Sequence, residues 1–110
     1  MNYKVEASPK FERDLKRLSK KFPSLKNEFA NLVSSLSTDP FQGTPLSHNC
    51  YKIRLAISSK GKGKSGGARV IAHIYVLGKV VYLLTIFDKS EQGSISEKEI
   101  LVILKSLEIK

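Results

Sequence analysis

Arg54 and Arg69 flank a loop that alternates glycine with lysine, and these residues carry the clearest chemistry in the 110-residue chain. A guanidinium donates two parallel, charge-assisted hydrogen bonds, a fork that matches a phosphate. Lys60, Lys62 and Lys64 stand in the loop between the arginines, and Lys52 precedes Arg54 by two residues. As point charges they suit a phosphodiester backbone. Lys89 follows the last apolar run, at a strand end of the kind where functional loop residues concentrate. An imidazole's unperturbed pKa lies near neutrality, which makes His73 a candidate acid/base group, although strand histidines more often pack within a sheet. His48 lies in a loop beside Asn49 and has the same two readings.

The same inventory excludes several chemistries. Asp88 and Glu91 are the carboxylates that closely follow the basic segment, too few for a two-metal nuclease. Two histidines without an acidic cluster argue against a catalytic metal, and no cofactor is expected. The one cysteine, Cys50, rules out an internal disulfide and a multi-cysteine zinc site, and beside a strand start it is expected to be partly buried. Gly63-Lys64-Ser65 resembles the end of a phosphate-binding loop. The required earlier glycine is Ser58, and a strand follows where a helix is needed, so nucleotide binding is excluded.

Charge placement points to a polyanion. The formal net charge is +9, and residues 40–87 hold seven basic side chains and no acidic one. A carboxylate-free segment of that length is a cationic field that favours nucleic acid or another anionic surface. With 41% hydrophobic residues the composition is globular, and the length suits one domain, residues 1–110. The chain shows no signal-peptide pattern and no apolar run of membrane-spanning length, so a soluble cytoplasmic protein without membrane contact is expected.

The elements that must position these side chains follow from periodicity. Tyr3 and Val5 alternate in a short strand. Ser8-Pro9 reads as an N-cap and first helical position, and Phe11, Leu15, Leu18 and Phe22 share one helix face. Pro23 interrupts, and Leu25, Phe29, Leu32, Val33 and Leu36 rebuild a second stripe. Residues 40–49 read as a loop. Tyr51, Ile53, Leu55 and Ile57 alternate with Lys52 and Arg54 in a strand with one basic face. Arg69 to Val76 and Lys79 to Phe87 read as an antiparallel hairpin turning near Leu77-Gly78. Ser96 and Glu99 form a capping box for a last helix carrying Ile100, Ile103, Leu104 and Leu107. The expected class is α+β, in the order β-α-α-β-β-β-α, an antiparallel sheet packed by an N-terminal helical hairpin and completed by a C-terminal helix.

Phe11-Glu12-Arg13-Asp14-Leu15-Lys16-Arg17-Leu18 before a proline-containing turn resembles the first helix of RelE/ParE-type toxins of bacterial toxin–antitoxin pairs. Tyr51 to Leu55, Gly67 to Ile71 and Leu83 to Lys89 resemble their three consecutive strands, and the run from Lys60 to Ile71 is similar to a RelE/HigB-like subgroup with a long loop before the arginine strand. The resemblance covers nearly the whole chain. It implies a partner antitoxin that covers the basic surface, and metal-independent cleavage of ribosome-bound mRNA through attack of the substrate's own 2′-hydroxyl. Carried over by position, Arg54 and Arg69 would stabilise the phosphate, Lys89 would be the basic residue after the last strand, and Lys52, Lys60, Lys62 and Lys64 would hold RNA. The sequence departs from the pattern where active relatives place a tyrosine or histidine after that basic residue, because Ser90-Glu91-Gln92-Gly93 follows Lys89. This leaves Lys52, Lys89, Glu91 or His73 for proton transfer. Two alternatives remain on sequence grounds: a ParE-like inhibitor of DNA gyrase without nuclease activity, and a non-catalytic nucleic-acid-binding module.

Overall fold

In the computed structural model, which describes residues 2–60 and 66–107, the chain order is strand β1 (Lys4–Ala7), helices α1 (Pro9–Lys21) and α2 (Leu25–Thr38), strands β2 (Thr44–Pro45), β3 (Cys50–Leu55), β4 (Ala68–Tyr75) and β5 (Val80–Asp88), and helix α3 (Glu97–Ser106). A 3₁₀ turn at Ser58–Lys60 follows β3. The helix boundaries fall where local chemistry sets them. The Ser8 hydroxyl accepts from the Phe11 amide, 3.0 Å away, and Pro9 needs no donor in the first turn. α1 ends at Phe22, before Pro23. At α3 both bonds of the Ser96–Glu99 capping box are present, and Ile95 and Ile100 join one apolar cluster beside it.

The α+β class stands, with two refinements. The sheet order is β1-β5-β4-β3-β2, and β1 runs parallel to β5 while the other pairs are antiparallel, so the sheet is mixed rather than antiparallel throughout. β1 meets a partner at the far end of the sequence, where no tight turn dictates direction. The second refinement is β2, two residues inside the stretch read as a loop, paired to Tyr51 and Lys52. Pro45 is tolerated there because β2 is an edge strand. Gly43 just before it has φ +90°, and a Cβ at that position would strike the Lys52 carbonyl.

The sheet buries two clusters. Phe11, Leu18, Leu25 and Leu36 of the helical hairpin cover one face, against Ile53, Val70, Ile74, Leu83 and Ile86. Ile100 and Ile103 of α3 cover the other, against Cys50, Ile71, Leu84 and Phe87. β1 pairs only with Val80–Leu83, leaving the rest of β5 an open edge. The start of α1 closes it: the Ser8 amide and hydroxyl donate to the carbonyls of Leu83 and Leu84, and the Thr85 hydroxyl donates to Asp14 at 2.8 Å. Thr85 sits beside an irregularity in which Ile71 pairs with Thr85 and Ala72 with Leu83. Among the described residues no helix is long and apolar enough to cross a membrane.

Candidate nucleic-acid interface

Strand alternation assigns the charged residues to a face. Ile53 lies in the helical-hairpin cluster, so Lys52 and Arg54 point to the α3 side. On β4, Val70 and Ala72 face the hairpin, whereas Ile71 faces α3 together with Arg69 and His73. The register then brings the arginines together: Arg54 stands directly opposite Arg69, and Arg69 opposite Phe87. Directly opposed residues in an antiparallel pair have Cβ atoms about 5 Å apart, where like charges repel unless an anion lies between them. Lys52, opposite Ile71, is roughly 7 Å along the strand from Arg54.

The two arginines differ in burial. Arg54 is exposed, whereas Arg69 is only 3% exposed and donates through Nη1 to the Ala68 carbonyl at 3.1 Å. Burial first, and the Arg54 cation second, lower the Arg69 pKa below the ordinary arginine value. An anion held by both guanidiniums would reverse that second effect. Lys89 extends the same edge. Its amide donates to the Gly67 carbonyl at 3.1 Å, one step beyond the Ala68–Asp88 pair, in the turn that follows β5.

The backbone around these cations is tightly placed by residues that sequence reasoning passed over. Asp88 Oδ1 accepts from the Ser90 amide at 3.0 Å and the Ser90 hydroxyl at 2.9 Å, while its carbonyl accepts from the amides of Glu91 and Gln92. This aspartate turn ends β5 and sets Lys89. A Cβ on Gly67 would fall on the Leu55 carbonyl, so β3 and β4 approach closely beside the arginine pair only because residue 67 is glycine. Glu28 Oε2 accepts from the Ser58 amide and hydroxyl, both at 2.7 Å, and Ser24 and Ser59 hydroxyls meet at 2.6 Å, anchoring the chain after β3 to α2. Asp-Lys-Ser after an apolar strand and Gly-Gly before Arg69 were the legible signals. Lys62, Lys64 and the Gly63-Lys64-Ser65 run lie outside the described residues, as does the Lys60 side chain.

The structure does not bring His73 to the arginine pair. His73 lies four residues along β4 from Arg69, roughly 13 Å away. Its Nδ1 donates to the His48 carbonyl at 2.7 Å, and the Cys50 sulfur is 3.8 Å from the same nitrogen. His48, with φ +60°, places Nε2 3.0 Å from Glu97 of α3. These groups border a cleft of about 520 Å³ lined by His48, Asn49, His73, Leu101, Leu104 and Lys105. Cys50 is buried outright, and burial pushes its thiol pKa up to about 11, so it is no nucleophile. Glu91 lies 3.4 Å from Arg17 of α1. Among the described residues no three His, Cys, Asp or Glu side chains group as metal ligands.

Burial lowers the His73 pKa most; the His48 hydrogen bond opposes this and the nearby His48 ring adds to it. The folded protein therefore holds His73 neutral where the unfolded chain binds a proton. Stability from this group is complete above about pH 6.5 and is lost as pH falls through the lower folded value. The thermal midpoint of the wild type is expected to drop more between pH 7.5 and 5 than that of His73→Gln, measured by differential scanning calorimetry. Equal drops would show that His73 does not carry the dependence.

No protein-family model matches the sequence. Among solved structures, the chain is similar to the E. coli toxin RelE, determined as a double-arginine mutant in the free state. The TM-score is 0.64 at 13% identity, over 97% of this chain and 99% of that one. It is also similar to the toxin–antitoxin complex RelBE2 of Mycobacterium tuberculosis, with TM-score 0.56 at 22% identity, over 80% of this chain and 99% of that one. At these identities the likeness is one of fold, and it bears out the architecture that the strand and helix order implied. The chain has the fold of the RelE toxins.

Proposed function

We propose that this chain, a single-domain cytoplasmic protein, is the toxin of a toxin–antitoxin pair and a metal-independent endoribonuclease that cleaves ribosome-bound mRNA. The observation that carries the reading is Arg54 opposite Arg69 on one face of a RelE-type sheet, with Lys52 on that face and Lys89 just past the end of β5. The substrate's 2′-oxygen attacks the adjacent phosphorus and passes its proton to solvent water. The bond from phosphorus to the 5′-oxygen breaks, and that oxygen takes up a proton, leaving a 2′,3′-cyclic phosphate and a 5′-hydroxyl. The arginines neutralise the charge that develops on the non-bridging oxygens. Lys89, held at the strand end by the Asp88 turn, suits protonation of the leaving oxygen. Lys52 and the loop lysines Lys60, Lys62 and Lys64 hold the backbone. His73 is remote from the arginine pair and is left out of this scheme, whereas Glu91 stays a candidate for proton transfer.

The RelBE2 structure is of a toxin–antitoxin complex. By analogy the cognate partner here is an antitoxin protein that covers the arginine face and its +7 segment. Expression without that partner is expected to arrest translation and generate mRNA fragments with 5′-hydroxyl and cyclic phosphate ends, mapped by end-specific ligation. DNA damage without new mRNA ends would instead assign the chain to gyrase inhibition. Nucleic-acid binding with neither outcome would leave a non-catalytic module.

A further inference from the structure

The arginine face has a neighbour around the edge of the sheet. β2 pairs only with Tyr51 and Lys52, so among the described residues no strand covers the outer edge of β3 from Ile53 onward. α2 runs beside that edge and leaves a cleft of about 320 Å³ between Asn31 and Leu32 of the helix and Arg54 to Ala56 of the strand side. A cleft of that volume falls in the range of small-ligand sites. Arg54 borders the cleft and also stands opposite Arg69, so the cleft adjoins the proposed phosphate position.

The lining decides what the cleft admits. Leu32 and Ile53 belong to the buried hairpin cluster and Leu55 packs against it, which gives the cleft an apolar floor. Glu28 puts a carboxylate in the wall, and among the described residues no cation lies within ion-pair distance of it. Its oxygens accept from the hydroxyls of Ser24 and Ser58 and from the Ser58 amide, which hold it in place. A phosphate would meet like charge there, whereas a neutral ring would not.

Gln42 adds a fixed acceptor. Its Nε2 donates to the Asp39 carbonyl at 2.8 Å and to the Ser35 hydroxyl at 2.6 Å. A carbonyl only accepts, so the nitrogen must be the end that faces Asp39. Both amide protons are then used, and Oε1 accepts no hydrogen bond among the described residues. Asn31 is exposed and its side chain has no hydrogen bond among the described residues, which leaves its amide available beside that acceptor.

We propose that the cleft between α2 and β3 takes a nucleobase next to the phosphate held by Arg54 and Arg69, and that Gln42 selects bases with an exocyclic amino group over uracil. The identity of the ligand as RNA rests on the ribonuclease reading. The ring lies on the apolar floor, its amine donates to Gln42 Oε1, and Glu28 keeps phosphates at the mouth. Uracil brings a carbonyl where cytosine carries its amine, which sets acceptor against acceptor and leaves Gln42 without a donor.

The test measures binding of the whole protein to single strands of about eight deoxycytidines or eight deoxyuridines, which lack the attacking 2′-hydroxyl and stay uncut. The two bases have nearly the same shape, so a difference reports the amine. The wild type is expected to bind the cytosine strand about tenfold more tightly. Gln42→Met should bring that ratio close to one. That substitution also removes the bonds to Asp39 and Ser35, so Ala56→Leu, which narrows the cleft and leaves Gln42 in place, is measured beside it with the same expectation. Thermal midpoints check that both variants fold. Equal affinity of the wild type for the two strands would overturn the proposal, as would a preference that survives both substitutions. Cleavage is scored separately on unmodified mRNA. A protein that cleaves mRNA but shows no preference in binding retains the ribonuclease reading and refutes the cleft. One that prefers cytosine through Gln42 and cleaves nothing upholds the cleft and refutes the ribonuclease.

Discussion

Arg69→Ala is expected, on the proposed function, to cut mRNA cleavage by about 10²–10³-fold and to relieve growth inhibition when the protein is expressed without an antitoxin. The reasoning starts from register. Arg69 is flanked on β4's two neighbours by Arg54 and Phe87, and its guanidinium is buried where its field is least screened. A phosphate entering this face meets a fork fixed through the Ala68 carbonyl, with the exposed Arg54 beside it. Donors held in place by the fold are worth most where charge develops at the phosphorus. Arg54→Ala is expected to lose less, because its side chain moves in water before the substrate arrives. Arg69→Lys should recover part of the rate, since it keeps the charge and loses the planar fork. On the proposal that both arginines act on one phosphate, the double alanine variant should fall short of the product of the single losses. The measurement is single-turnover cleavage at matched protein concentration, with the thermal midpoint as a folding control. If Arg54→Ala and Arg69→Ala both remain fully toxic at equal protein levels, the phosphate site lies elsewhere.

Local chemistry made much of this fold legible. Ser8-Pro9, Pro23 and the Ser96–Glu99 box mark helix ends through bonds that close within four residues, and the structure has each of them. The alternation of Lys52 and Arg54 with Tyr51, Ile53 and Leu55 assigns faces because side-chain period in a strand is two. What escaped depends on partners distant in sequence. The direction of β1 is set by β5, and β2 exists only because Gly43 lets the chain come against Lys52. The site divides in the same way. Arg54 and Arg69 were brought to one patch by strand pairing, but their direct opposition needs the register. His73 shares strand parity with Arg69, and parity is silent about the four-residue distance that puts it against His48 and Cys50 instead. Glu91 is near Lys89 in sequence, yet the turn at Asp88 carries it to Arg17.

Phe11→Ala is expected to destabilise the protein by about 3–5 kcal/mol, a large share of the roughly 5–15 kcal/mol available to a domain. Phe11 is fully buried, its ring lies 5.4 Å from that of Phe29, and its amide binds the Ser8 cap. Removing the ring leaves a cavity where α1 meets α2 and the sheet, and a packed interior relaxes only partly around such a gap. The loss reaches further than the cavity, because α1 also closes the edge of β5 that β1 leaves open. The thermal midpoint should fall by roughly 10–30 °C, and Phe11→Leu, which retains most of the volume, by far less. The arginine pair lies on the other face of the sheet, so cleavage per folded molecule should be preserved at low temperature. This separates two routes to lost activity: Arg69→Ala is expected to slow the proposed chemistry in a folded protein, whereas Phe11→Ala removes the fold and leaves the chemistry of the surviving fraction intact. A Phe11→Ala protein with unchanged midpoint would contradict the packing described, and one with normal stability but no cleavage would place substrate contacts on the helical hairpin.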